Sequence, residues 1–255
     1  WQFPCEHPEQ DPFIAGCHPL AGPALCRRLA IPDFANAEVI DALRNIATKG
    51  MHGRSDSGGP TILDINSGFL RDGDGIVNLY SGDRATDLFS RDEFTLYRDV
   101  TDAIRSTVMQ AFELETLHLT APTFITRLVG NSSWEPASMH DEYYHVHVDK
   151  LNTPHYDYSG LLYLSDYSVD FEGGLFTFQA APSDDDEVHM AIEPSRGLLL
   201  AFNAGPENPH QVQKVTSGRR YVLSFWFTCD ERRSFRSFLD GRAHDRFEGG
   251  GGEGA

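Results

Sequence analysis

The sequence has no run approaching the roughly 20 consecutive apolar residues that a bilayer-spanning helix requires, so none of its 255 residues reads as a transmembrane segment. Positive charge is also scarce: 21 Lys and Arg stand against 38 Asp and Glu, a formal net charge of −17. Basic residues gather no further than short pairs such as Arg27-Arg28 and Arg219-Arg220. A field of that sign repels phosphate backbones and anionic membranes, which excludes nucleic-acid binding as a bulk electrostatic event. Internal repeats are lacking too.

Cysteine is sparse, with Cys5, Cys17 and Cys26 crowded into an irregular N-terminal segment and Cys229 far downstream. An even count of this kind suits disulfides in an oxidising compartment, with three pairings open and free thiols as the alternative. Asn131-Ser132-Ser133 is an N-glycosylation acceptor in a polar stretch, which points the same way, towards the secretory lumen. The chain opens on Trp1 rather than Met, which leaves a preceding signal or anchor open.

A hydrophobic content of 40% is enough for one good core, and one domain is expected over residues 36–239. A Cys-containing arm, residues 1–35, precedes it. The Gly-rich tail, residues 240–255, has nothing to bury. Asn36 can cap a helix whose apolar face is Val39, Ile40, Leu43 and Ile46, with Gly50 placed to end it. Ser90 and Glu93 form a capping-box pattern that opens a longer helix carrying Phe94, Tyr97, Val100, Ile104, Val108 and Phe112. From Thr123 the periodicity changes to two. Strands are expected at Phe124 to Val129, Tyr143 to Val148, Gly160 to Leu164, Leu175 to Phe178, Val188 to Ile192, Leu198 to Phe202 and Tyr221 to Thr228. Short strands after a helical half indicate an α+β, mainly β fold: a sandwich or barrel backed by helices.

If Tyr143 to Val148 is a strand, His145, His147 and Asp149 share one side of it. A third ligand must come from elsewhere, and His210 in Glu207-Asn208-Pro209-His210 precedes another β-rich run. Two His and one carboxylate on one face of an octahedron leave positions open, which is the ligand set of non-haem Fe(II) oxygenases. The pattern His-x-Asp recurs at His155-Tyr156-Asp157, so the pair alone is weak. What favours the first pair is the order of His-x-Asp, then His210, then Arg220 on the next strand. In an extended run Arg220, Val222 and Ser224 face one way and Arg219 the other. A guanidinium at Arg220 matches a carboxylate with two parallel hydrogen bonds. Trp134, Tyr143, Tyr144, Tyr156 and Tyr158 form an aromatic set expected near the mouth, with Tyr144 the candidate for substrate contact.

Tyr144 to Asp149, Tyr158 to Leu164, and Asn208 to His210 followed by Gly218-Arg219-Arg220-Tyr221 resemble the prolyl-hydroxylase branch of the 2-oxoglutarate oxygenases. The likeness covers roughly Thr123 to Cys229. Within that branch it extends to the N-terminal half at Ser67-Gly68, Val77 to Tyr80 and Leu117 to Thr120. The resemblance implies a double-stranded β-helix, or jelly roll, with N-terminal helices packed on one side. It implies iron at His147, Asp149 and His210, and 2-oxoglutarate held through its far carboxylate by Arg220 with Tyr163 and, nearby, Ser224. It also implies ascorbate as reductant, a protein or peptide substrate with prolyl favoured, and release of succinate and CO2. His155 and Asp157, like His140, His145 and His189, fall on non-ligand positions. The resemblance further implies a lumenal endoplasmic reticulum or Golgi protein with an N-terminal anchor that this chain lacks, and glycosylation at Asn131. Two alternatives remain: a non-catalytic lumenal binding module on this fold, and a cupin-like metalloenzyme with no 2-oxoglutarate for Arg220 to hold.

Overall fold

The computed structural model describes residues 1–4, 17, 19–20, 26–54, 56–73, 75–80, 88–120, 123–136, 144–179 and 188–235. Cys5, His140, Tyr143 and the tail over 240–255 lie outside them. Both expected helices form. In α1, Ala37–Gly50, the Asn36 side chain accepts from the Val39 amide, and Ile40, Leu43, Ile46 and Ala47 are buried. Gly50 does not end this helix in the left-handed conformation. It is the last helical residue, Met51 is the cap, and the first positive φ comes at Gly53. Gly50 instead permits close packing, because a Cβ there would lie 2.4 Å from Leu63 Cδ2.

Helix α2, Arg91–Ala111, opens with the complete capping box between Ser90 and Glu93. Phe94, Tyr97, Val100, Thr101, Ile104 and Val108 make a continuous buried stripe at helical spacing. No helix among the described residues is long and apolar enough to cross a membrane.

The strands are β1 (Gln2–Pro4), β2 (Arg27–Ile31), β3 (Gly59–Leu63), β4 (Phe69–Asp72), β5 (Gly75–Asn78), β6 (His118–Leu119), β7 (Phe124–Val129), β8 (Tyr158–Tyr163), β9 (Phe171–Gly173), β10 (Phe176–Gln179), β11 (Val188–Ile192), β12 (Leu199–Asn203), β13 (His210–Val212) and β14 (Val215–Thr228). They form two sheets. The larger runs in the order β1-β2-β12-β8-β14-β7-β3-β4-β5, with β6 and β9 also on β14; the smaller is β11-β10-β13. All these ladders are antiparallel.

One face of the larger sheet buries Leu162, Leu199, Leu223, Phe225 and Phe227 in a common core with α1 and α2. Its other face meets the smaller sheet, with Tyr163, Leu200, Phe202 and Val222 packed against Phe176 and Phe178.

Three differences from the sequence reading bear on the site. Residues 27–31, expected within a loosely packed arm, are a strand of the main sheet paired to β12. Strands β3 to β5, between the two helices, were not foreseen. The run Tyr143 to Val148 is not a strand: of its described residues only His147 makes a β-bridge, to His210, and Asp149 opens a single helical turn, α3 (Asp149–Asn152).

The N-terminal segment is stapled to the end of β14 by a Cys17–Cys229 disulfide spanning 212 residues of sequence, and Cys26 is disulfide-bonded as well. Cross-linking so long a loop restricts the unfolded chain. Replacing both Cys17 and Cys229 by Ala should lower the unfolding free energy by about 2–4 kcal/mol in urea titration, with a steeper denaturant slope because the released unfolded chain exposes more surface.

Candidate metal centre

Between the two sheets lies a cavity of about 450 Å³. Its floor is the inward face of β3, β7, β8 and β14, where side chains alternate. Ile62, Thr126, Leu161, Val222, Ser224 and Trp226 line it, while Leu162, Leu223 and Phe225 turn to the helices. His147, Asp149 and His210 stand together at its wall.

His147 Nε2 is 3.7 Å from Asp149 Oδ1 and His210 Nε2 is 3.6 Å from Asp149 Oδ2. Donor atoms about 2.1 Å from one divalent ion must lie about 3 to 4.2 Å apart, according to whether they are adjacent or opposite. The two spacings fall inside that range; they are to different oxygens of the carboxylate, and one donor atom from each of the three residues lies within 4.8 Å of the other two. Asp149 and His210 are buried and His147 is half-buried, so one side of the group stays open to the cavity.

The convergence arises from contacts distant in sequence. The bridge between His147 and His210 exchanges two hydrogen bonds of 2.9 Å and sets the two imidazoles 4.4 Å apart. His147 Nδ1 lies 3.1 Å from the His145 carbonyl and His210 Nδ1 lies 2.9 Å from the Asn208 carbonyl. Each carbonyl selects the tautomer with the proton on Nδ1, which leaves Nε2 as a lone-pair donor aimed at the site. Asp149 Oδ2 accepts a 2.6 Å hydrogen bond from Ser159 on β8.

The loop that leads into His210 at the start of β13 is held from β2. The Arg28 Nε donates to Asn208 Oδ1 at 2.8 Å, Asn208 Nδ2 donates to the Asn203 carbonyl, and Arg28 lies over the Phe178 ring at 4.1 Å. Burial lowers the His210 pKa to about 4, the nearby Asp149 carboxylate opposing the shift. The ring is therefore neutral at pH 7 and ready to donate.

The rest of the expected set divides. Arg220 is 1% exposed and lines the same cavity; Arg219 on the opposite face is exposed and paired with Asp56 at 2.8 Å. Tyr163 lies beside Arg220, whose guanidinium carbon is 5.3 Å from the ring centroid. Burial pushes the Tyr163 phenol up to about 12, and its hydroxyl proton finds no acceptor among the described residues. Ser224 opens on the cavity.

His155 and Asp157 form no metal group with each other. Asp157 is occupied by Lys150 Nζ, Thr228 Oγ1 and the Cys229 amide, and the sulfurs beside it belong to the disulfide and offer no thiolate.

The aromatic mouth needs correction. Tyr158 is fully buried against Phe112, Tyr156 is buried and stacked on Trp226, and Trp134 lies against Gly58-Gly59. Tyr144 is half-buried under Lys214 Nζ at 5.8 Å and stands outside the cavity lining. At the glycosylation triplet, Asn131 Oδ1 accepts from the Ser133 amide and hydroxyl, and Asn131 Nδ2 donates to the Ser57 carbonyl.

Sequence reasoning passed over Ser159, Arg28 and Asn208. A signal for Ser159 existed, since it lies four residues before Tyr163 on one strand and so shares its face.

Residues 135–228 match the family model of the 2OG-Fe(II) oxygenase superfamily. A human protein named 2-oxoglutarate and iron-dependent oxygenase domain-containing protein 3 is 39% identical over 234 residues, covering 90% of this chain and 70% of that protein. The chain belongs to the 2OG-Fe(II) oxygenase superfamily. Fe(II) and 2-oxoglutarate are the cofactors this membership brings.

The mouse protein of the same name is 40% identical over 212 residues, 82% of this chain, and the chain spans 65% of its length. Prolyl 3-hydroxylase 1 of Gallus gallus is 35% identical over 156 residues, 55% of this chain and 21% of that protein. Among solved structures, a Trichoplax adhaerens prolyl hydroxylase in complex with a hypoxia-inducible-factor peptide superposes with a TM-score of 0.53 at 17% identity. It covers 81% of this chain and 85% of that one. That likeness concerns the fold.

Two outcomes test the geometry. Ser159→Ala should weaken Fe(II) binding about 10- to 100-fold while the fold survives, measured by anaerobic metal titration. His210 has a folded pKa below its unfolded value, so protonation favours the unfolded chain. The metal-free protein should lose stability as pH falls from about 6.5 to about 4 and little more from this group below that. Thermal melts should show that slope flattened in His210→Gln.

Proposed function

We propose that this chain is an Fe(II)- and 2-oxoglutarate-dependent dioxygenase that hydroxylates a protein side chain, prolyl favoured, with release of succinate and CO2. The observation that carries the reading is the pairing in one cavity of the His147, Asp149 and His210 group with a buried arginine, Arg220. Fe(II) with 2-oxoglutarate, when bound, supplies the oxidising chemistry that inserts one oxygen atom of O2 into a C–H bond.

The chain's own residues supply the rest. His147, Asp149 and His210 hold the ion from one side and leave the cavity side for other ligands. Arg220 presents a buried guanidinium in that cavity, and its planar fork matches the far carboxylate of 2-oxoglutarate with two parallel hydrogen bonds. Tyr163, beside Arg220, and Ser224, on the cavity, are the hydroxyls assigned to the same end of the cosubstrate. Leu161, Phe176, Val212 and Val222 exclude water there.

The two facing sheets are read as a double-stranded β-helix with the helices on its outer face. The substrate class rests on the prolyl 3-hydroxylase likeness, and Trp226 with Phe124 gives an aromatic wall in the cavity that suits a prolyl ring. Ascorbate as reductant, residence in the secretory lumen with an anchor outside this chain, and glycosylation at Asn131 complete the reading. The disulfide joining Cys17 to Cys229 supports an oxidising compartment.

With Fe(II) and ascorbate the protein should convert 2-oxoglutarate to succinate, and a peptide substrate should gain one oxygen in mass spectrometry. His147→Ala should abolish turnover. Arg220→Ala, which removes two charge-assisted hydrogen bonds of about 1.5 kcal/mol each, should raise the KM for 2-oxoglutarate about 100-fold. Absence of turnover together with unchanged 2-oxoglutarate binding in Arg220→Ala rejects the assignment.

A further inference from the structure

A second cavity, of about 570 Å³, lies on the other side of the same two strands. Alternation along β7 and β14 puts Thr126, Leu128, Arg220 and Val222 into the metal cavity, and Arg127, Arg219 and Tyr221 into the second one. Helix α1 adds Arg44 and Thr48, and the segment after it adds His52, Arg54 and Asp56; the turn before β9 adds Asp170.

The charged groups are four arginines and two aspartates, so with His52 neutral the basin carries 4 − 2 = +2. It reverses the sign of a chain whose net charge is −17. Nothing in the metal chemistry uses it.

The arginines are organised. Asp56 receives Arg219 Nη2 at 2.8 Å and Nε at 3.3 Å, with Arg127 Nη1 at 3.5 Å. Asp170 receives Arg44 Nη1 at 3.2 Å on both oxygens. Arg54 Nε is buried with no hydrogen-bond acceptor among the described residues, as is Arg127 Nε, but Arg127 also pairs with Asp56 whereas the Arg54 side chain makes no ion pair among the described residues. A buried guanidinium N–H without an acceptor carries a desolvation cost that an anion would relieve. The absence of lysine matters too, because each planar fork can hold two oxygens of a tetrahedral or planar anion at once. The side chains of Arg219 and Asp56 are about half exposed, at 53% and 49%, so the basin opens to solvent beside them.

We propose that this basin is a binding site for a compact phosphate or sulfate dianion, free or as the head of a small-molecule ester, with Arg54 its principal donor. The excess of two positive charges fits a dianion, the volume admits one with its first waters, and the open side lets an ester project.

The test is calorimetric titration of the whole protein with inorganic phosphate, inorganic sulfate and glucose 6-phosphate, in chloride buffer at fixed ionic strength. Wild type should show one saturable site. Arg54→Gln should weaken it about 10-fold and Arg54→Glu should remove it, with melting curves showing both variants folded. Arg232→Gln, at an exposed arginine elsewhere, should leave it unchanged. Binding of glucose 6-phosphate alongside phosphate assigns an ester head, and binding of phosphate or sulfate alone assigns a free ion; either supports the site. No saturable binding of any of the three, or binding that survives Arg54→Glu, overturns it. Phosphate lodged against Arg220 in the metal cavity would survive that substitution and so counts among the overturning results.

Discussion

Everything in this molecule hangs on the register between β8, β14 and β7. Val222 stands opposite Tyr163 on one side and Thr126 on the other, and Ser224 stands opposite Leu161 and Phe124. With a side-chain period of two, a slip of one residue would exchange both faces at once. Arg220 would turn to the helices, Arg219 would enter the interior, and Leu223 and Phe225 would leave the core. Close packing opposes the slip: Gly160 faces Phe225 so tightly that a Cβ would lie 2.0 Å from the ring. The apolar core under α1 and α2 thereby determines which arginine meets the cosubstrate.

The metal ligands depend on a second constraint, the single bridge between His147 and His210. It aligns the irregular segment that carries His147 with the first residue of β13. Backbone carbonyls choose the tautomers, Ser159 holds the carboxylate, and Arg28 reaches from the N-terminal strand to brace Asn208. The N-terminal segment is thus part of the support of the site, and its disulfide ties it to the far end of β14. Asp157, rejected as a ligand, helps the same support by joining Lys150, next to Asp149, to the backbone at Cys229.

Much of this was legible in the residues. The capping box at Ser90 and the stripe from Phe94 to Val108 are local patterns, and local patterns survive folding. Strands β7 and β11 lie where period-two alternation puts them, and β8, β10 and β12 within one or two residues. The strands β2 to β5 were not legible, because their sequences mix Gly, Pro, Arg and Asp and are held by pairing, β2 on β12, β3 on β7, and β4 and β5 in turn beyond β3, rather than by propensity. The stretch before Asp149 misled for the opposite reason. Its alternating His and Val look like a strand, but only one residue finds a partner, and Asp149 reaches the metal position from a helical turn. Tyr156 and Tyr158 read as rim residues, yet the core claims them.

By itself the sequence determined the chemistry of the donors and their order: two histidines, one carboxylate and one arginine of the right types, spaced so that a β fold could unite them. It also determined the alternation that separates Arg220 from Arg219. Tertiary structure decided which histidines meet the carboxylate and how. His155-Tyr156-Asp157 has the same short pattern as His147-Val148-Asp149, but Asp157 is consumed by Lys150, Thr228 and Cys229 while Asp149 is left facing two imidazoles. Contacts such as those of Asp157 with Thr228 and Cys229, 71 and 72 positions apart, carry that choice, and no short window of sequence contains them.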